Sequence, residues 1–104
     1  MPGKPILGAR SPHWPAVEHA HLKSNPFCAA CGGHEQVQVH HKKPFHLHPE
    51  LELEPSNLIT LCEKPGHCCH YVHGHLLDWH AFNPEVEGDS RAYLKKVHNR
   101  LTAA

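Results

Sequence analysis

The stretch C-A-A-C-G-G-H-E-Q-V-Q-V-H-H, residues 28 to 41, decides the fold. It joins two cysteines, set two residues apart, to a run that alternates with period two. Val37, Val39 and His41 point to one side, and Gln36, Gln38 and His40 to the other, as a strand requires. The two adjacent histidines that end the strand therefore diverge and cannot do the same job. Gly32 and Gly33 follow the second thiol, and glycine tolerates the tight turn that aims sulfurs at a metal.

Three further cysteines cluster in L-C-E-K-P-G-H-C-C-H, residues 61 to 70. Five is an odd number for a disulfide framework, and no basic-then-apolar leader opens the chain. Two thiolate groups separated by a strand-forming stretch read instead as a tetrahedral zinc site, in preference to disulfides or inert core thiols. Composition makes such a staple expected. The 104 residues are only 39% hydrophobic, with two Trp, two Tyr and three Phe, and so small a core leaves a thin stability margin.

Residues 1 to 9 are rich in Pro and Gly and are expected to form an irregular arm. Residues 10 to 104 make one domain. Trp14, Val17 and Leu22 can share a face, which predicts a helix over about 13 to 23. Residues 42 to 56 hold three prolines and no periodicity, a long loop of the kind that is often functional. N-L-I-T-L, 57 to 61, predicts a second strand paired with the first. A helix is expected over about 69 to 81 despite Gly74. A last helix, capped by Asp89 or Ser90, would present Tyr93, Leu94, Val97 and Leu101. No apolar run approaches the roughly 20 residues that span a bilayer, so a soluble, cytoplasmic protein with no membrane partner is expected. Ten Lys/Arg balance ten Asp/Glu, so any contact with nucleic acid must come from a local patch, and fourteen His make the charge depend on pH.

In order, the chain carries C-A-A-C at 28–31, V-H-H-K-K-P at 39–44, S-N-L-I-T-L-C at 56–62 and C-C-H at 68–70. This series resembles the HNH endonucleases, the ββα-metal nucleases, in their zinc-ribbon form, and the small stand-alone nicking and phage-encoded members in particular. The resemblance covers residues 28 to 80 and fits the flanking segments more loosely. It implies a small α+β fold: a ββα-metal core with an embedded four-cysteine zinc ribbon (28–69), flanked by short N- and C-terminal helices. It implies a structural zinc on Cys28, Cys31, Cys62 and Cys69, the last chosen over Cys68 because the family's cysteine directly precedes the helix histidine.

It further implies that His41 is the general base and that His40 and His70 hold a catalytic Mg²⁺ or Mn²⁺. The amide of Asn57 would hold the long loop in place and so orient His41. The implied reaction is hydrolysis of a DNA phosphodiester, by nicking or double-strand cutting, that leaves 5′-phosphate and 3′-hydroxyl ends without an organic cofactor. The residue types suit this chemistry. A neutral imidazole accepts a proton from water near pH 7, and a cation neutralises charge on the phosphate. His73, three residues after His70, shares its helix face and is a possible third ligand. His75, five residues on, lies roughly 140° around an ideal helix and reaches less easily unless Gly74 makes the turn irregular. Lys42, Lys43 and Arg10 are the candidate phosphate contacts, with Lys23 and Arg91 further options. The remaining histidines, among them His21, His46 and His48, carry no expected role. A zinc-ribbon module that binds nucleic acid or protein without cutting is the alternative, but a ribbon alone does not require His40, His41, Asn57 and His70 in that register.

Overall fold

A computed structural model describes residues 11–66, 68–79 and 81–103, and the side chains through residue 97. The expected arm at 1–9 and Arg10 lie outside the described residues. The order is helix α1 (Trp14–Ser24), strand β1 (Val37–His41), strand β2 (Leu58–Cys62), a single π-helical turn (His70–Gly74) and helix α2 (Val86–Ala103). The result is a small α+β fold around a two-stranded antiparallel sheet. No helix among the described residues is long and apolar enough to cross a membrane.

The two strands lie within a residue of their expected bounds, in a register that runs from Val37 opposite Cys62 to His41 opposite Leu58. Each residue advances about 3.3 Å along a strand, so the cysteine end of the sheet and His41 are roughly 13 Å apart. Ala29 N–H donates to the Thr60 carbonyl at 2.8 Å, and the Thr60 hydroxyl to the Asn25 carbonyl at 2.8 Å, which bind the C-A-A-C knuckle to β2. Every residue of β2 is buried, whereas β1 is buried only at His40 and His41.

The core cluster comprises Cys28, Ala30, Ile59, Leu61, Cys62, Cys69 and Val86. Only Ile59, Leu61 and Val86 are large aliphatics, and at about 1.5–3 kcal/mol apiece they cannot alone offset the ordering of so long a chain. Three of those seven side chains are cysteines, so the apolar core is also the wall of the sulfur cluster.

Two helices depart from expectation. The helix expected over 69–81 shrinks to the π turn, because the backbone enters the left-handed region at Leu76 (φ 54) and Leu77 (φ 67). α2 begins at Val86, ahead of the expected caps. Asn83 instead fixes the turn that leads into α2: its side chain accepts the Glu85 N–H at 3.0 Å and its carbonyl the Val86 N–H at 3.2 Å, so neither Asp89 nor Ser90 begins the helix. Ser90 is instead buried within the helix, alongside Val86. Tyr93 packs on the core as expected, whereas Leu94 is exposed and Leu101 lies outside the described side chains.

Candidate metal centres

The Sγ atoms of Cys28, Cys31, Cys62 and Cys69 all lie within 4.8 Å of one another. Sulfurs about 2.3 Å from a common zinc, at tetrahedral angles, are about 3.8 Å apart, and Cys31 and Cys62 are separated by 3.8 Å. None of the five cysteines is in a disulfide. Backbone N–H groups of Cys31 and Gly33 point at the sulfurs of Cys28 and Cys31, at 3.4 and 3.5 Å, and favour the thiolate form. Gly32 makes that turn possible with φ of 79. Cys28 is pushed down to about 4, first by the Cys69 thiol beside it and then by backbone donors, while the Cys28 sulfur holds Cys69 far above the ordinary thiol range. Burial raises Cys31. Four cysteines this close could hold a structural metal such as zinc. Cys68 is outside the group and lines a separate surface hollow with His73 and Tyr93.

The second centre is built from His40, His70 and His75, whose ring nitrogens also meet within 4.8 Å. His70 Nε2 stands 3.0 Å from His40 Nδ1 and 3.2 Å from His75 Nε2. Nitrogens about 2.05 Å from a tetrahedral zinc-sized ion are about 3.3 Å apart. The outward nitrogens show where the protons are. His70 Nδ1 contacts the Glu63 carboxylate at 2.7 Å, and His75 Nδ1 the Ala81 carbonyl at 2.8 Å. Both partners accept, so both protons sit on the outward nitrogens, and the inward Nε2 lone pairs of His70 and His75 face each other. Two lone pairs at that range repel unless a cation lies between them. His40 Nε2 is buried without a hydrogen-bond partner. The donor set therefore fits a divalent cation, and three imidazoles leave coordination positions open, as catalytic sites do.

His75, not His73, supplies the third nitrogen. Widening the turn to the i→i+5 pattern reduces the rotation per residue, which swings position 75 toward the face of position 70. His73 instead stacks on Tyr93, with ring centroids 4.8 Å apart. Gly74 leaves space here: a Cβ would crowd the rings, at 3.1 Å from His40 Cε1 and 3.2 Å from both His40 Nε2 and His70 Cδ2. The residue that weakened the sequence case for a helix makes room for the cluster. The Cys69–His70 step links the two centres directly, since a cysteine of the first holds the start of the turn that carries the second. We expect His75→Ala to weaken divalent-ion binding by more than the roughly tenfold that loss of a hydrogen-bond partner of a ligand already costs, and His73→Ala to leave it within about twofold. Isothermal titration with Mn²⁺ on the zinc-loaded protein measures both.

His41 diverges from His40, as the alternation predicts. Its Nε2 is 2.9 Å from the Glu52 carbonyl, which can only accept, so Nε2 carries the proton and Nδ1 the lone pair. Trp14 of α1 lies over the ring at 4.7 Å between centroids. Asn57 is buried and spans the loop: it accepts the Lys43 N–H at 2.8 Å and donates to the Lys43 and Leu51 carbonyls at 3.1 and 3.3 Å. Leu51 adjoins Glu52, so Asn57 and His41 grip one loop from two sides. The expected phosphate contacts are less uniform. Lys43 is exposed, but Lys42 is half-buried and paired with Glu87 at 3.0 Å, and Arg91 pairs with the same carboxylate at 3.1 Å.

His40, His41, His70 and His75 all line one cavity of about 370 Å³, walled by Phe45, His46, Trp79 and Phe82. Burial, then the neighbouring histidines, push His40 down to about 3, and burial also lowers His70 against the pull of Glu63. An unfolded histidine takes up its proton as pH falls through 6.5, while folded His40 resists until about 3. Stability contributed by neutral His40 is therefore lost progressively as pH falls across that window. The urea midpoint should fall between pH 7 and pH 5, and fall less in His40→Asn. Equal slopes in both proteins would contradict the burial reading.

Glu63 and the Glu52 and Ala81 carbonyls are the parts of the site that the sequence did not reveal, and His75, ranked there behind His73, is the histidine that joins the cluster through the irregular turn at Gly74. No family model, curated protein or solved structure matches the chain.

Proposed function

We propose that this chain is a metal-dependent DNA endonuclease of the HNH type, with a ββα-metal core formed by β1, β2 and the π turn. One observation carries the reading: three inward-facing imidazole nitrogens and a fourth, separately anchored imidazole line a single cavity. Phosphodiester hydrolysis needs these two functions and needs them apart. A base must take a proton from water, and a cation must offset charge on the phosphate and leaving oxygen.

In this reading His41 Nδ1 accepts the proton of the attacking water, while its Nε2–H remains on the Glu52 carbonyl and fixes the ring. Asn57 holds the loop that presents that carbonyl. His40, His70 and His75 would hold the divalent ion, which supplies charge neutralisation at the scissile phosphate. Glu63 and the Ala81 carbonyl orient two of the three rings. Lys43, exposed two residues beyond His41, would meet a flanking phosphate as a point charge. The water oxygen bonds to phosphorus as the P–O3′ bond breaks and O3′ takes up a proton from solvent, which leaves the 5′-phosphate and 3′-hydroxyl ends that the resemblance implies. Three nitrogen donors suit Mn²⁺ and later transition metals better than Mg²⁺, so Mn²⁺ should support the faster reaction.

The test is conversion of supercoiled plasmid to nicked or linear DNA by zinc-loaded protein with Mn²⁺, with Mg²⁺ or with a chelator. Cleavage only with added ion, faster with Mn²⁺, is expected. Binding without cleavage under any divalent ion would establish the zinc-ribbon binding module instead.

A further inference from the structure

The catalytic cavity has an unexpected wall. Among the described residues that line it, beyond the histidines, are Val39, Pro44, Phe45, Trp79, Ala81 and Phe82, with no lysine, arginine or carboxylate. A groove shaped only for the outside of a duplex should present cations to phosphates. Three aromatic rings instead surround the histidine floor.

Trp79 is the centre of that wall. Its indole packs on His70, His75 and Tyr71 with centroids 5.2, 4.8 and 4.8 Å apart, yet the residue is 53% exposed. The backbone is strained to put it there. Leu76 and Leu77 hold left-handed conformations that branched side chains rarely adopt, and both are more than half exposed, so burial of their own side chains does not offset the strain. Tyr71 clamps the turn: its hydroxyl donates to the Leu77 carbonyl at 2.6 Å, and the Leu77 N–H donates to its carbonyl at 2.9 Å. The strain thus serves to fold an exposed indole over two metal-binding rings.

We propose that this wall is a stacking site for one unpaired nucleobase beside the scissile phosphate, so that the substrate is single-stranded or locally unpaired DNA. This rests on the nuclease reading and specifies its substrate. A base within a duplex has both faces covered by its neighbours, and only an unpaired one can offer a face to Trp79, with Phe45 and Phe82 around it. A cavity of about 370 Å³ falls at the small end of the range that accepts small-molecule-sized groups. Base–aromatic stacking tolerates any base, so little sequence preference follows.

The experiment measures binding and cutting separately. Fluorescence anisotropy of a short labelled oligodeoxynucleotide, single-stranded or annealed to its complement, is followed in Ca²⁺ with zinc-loaded wild type, Trp79→Phe and Trp79→Ala. Single strand should bind more tightly than duplex. Trp79→Ala should weaken single-strand binding by roughly 5- to 150-fold and duplex binding much less, while Trp79→Phe retains most of the affinity. Phe82→Ala, at a second position in the same wall, should weaken single-strand binding in the same sense if Trp79→Ala fails to fold. Equal affinity for the two DNA forms, or no selective loss in any variant, overturns the proposal. The same strands are then incubated with Mn²⁺. Selective binding without cleavage would sink the nuclease reading and keep the stacking site, whereas equal cleavage of duplex and single strand would do the reverse.

Discussion

Replacing Cys28 with Ser is expected to abolish the zinc and the cooperative unfolding transition together. Three of the seven core-cluster side chains are cysteines, so a lost ion leaves desolvated sulfurs and only a handful of large aliphatics to hold the sheet. Structural zinc in small domains contributes apparent binding free energies of about 10–16 kcal/mol, more than the whole stability of most domains this size. The loss should reach the second centre too, because Cys69 fixes the start of the turn that carries His70 and His75. Elemental analysis and a urea titration followed by circular dichroism provide the check. Cys68→Ser should retain both zinc and transition, since its sulfur lies outside the cluster. A Cys28→Ser protein that unfolds like the parent would mean that the apolar contacts suffice.

His41→Ala carries the second large effect. Removing a general base typically costs 10²- to 10⁴-fold in rate, and the ring contributes no nitrogen to either metal centre. Zinc content and Mn²⁺ affinity should therefore stay near parental values while cleavage collapses. The Trp14 contact is lost as well, so some destabilisation is expected, and the melt of the zinc-loaded variant separates it from catalysis. An imidazole accepts a proton only when neutral, so the wild-type rate should climb with pH to a plateau, and this rise should vanish in the variant.

The sheet was legible in the sequence because period-two alternation and the punctuating prolines and glycines act locally. So was the divergence of His40 from His41, which follows from strand geometry alone. The helix after β2 was not. Its reading assumed the rotation of an α-helix, which favours His73, whereas the π turn and two left-handed leucines bring His75 around. Nothing in the propensities of leucine announces such a turn. The partners of His41 and His75 were hidden for another reason: both are backbone carbonyls, of Glu52 and Ala81, and any residue type supplies one. Glu63 carried a faint signal, an acid next to a zinc-spaced cysteine, that only the fold could connect to His70. The choice of Cys69 over Cys68 came from family resemblance, and the sulfur geometry groups Cys69 with the other three.

In the proposed reaction one cavity joins a cation held on His40, His70 and His75 to a base at His41. Its most direct test is single-turnover cleavage of an end-labelled DNA strand by zinc-loaded wild type and His41→Ala, with Mn²⁺ saturating and DNA binding measured on the same samples. Wild-type products should end in 5′-phosphate and 3′-hydroxyl, and the variant should bind equally but cut at least about 10²-fold more slowly. A His41→Ala protein that cuts at the parental rate would contradict it.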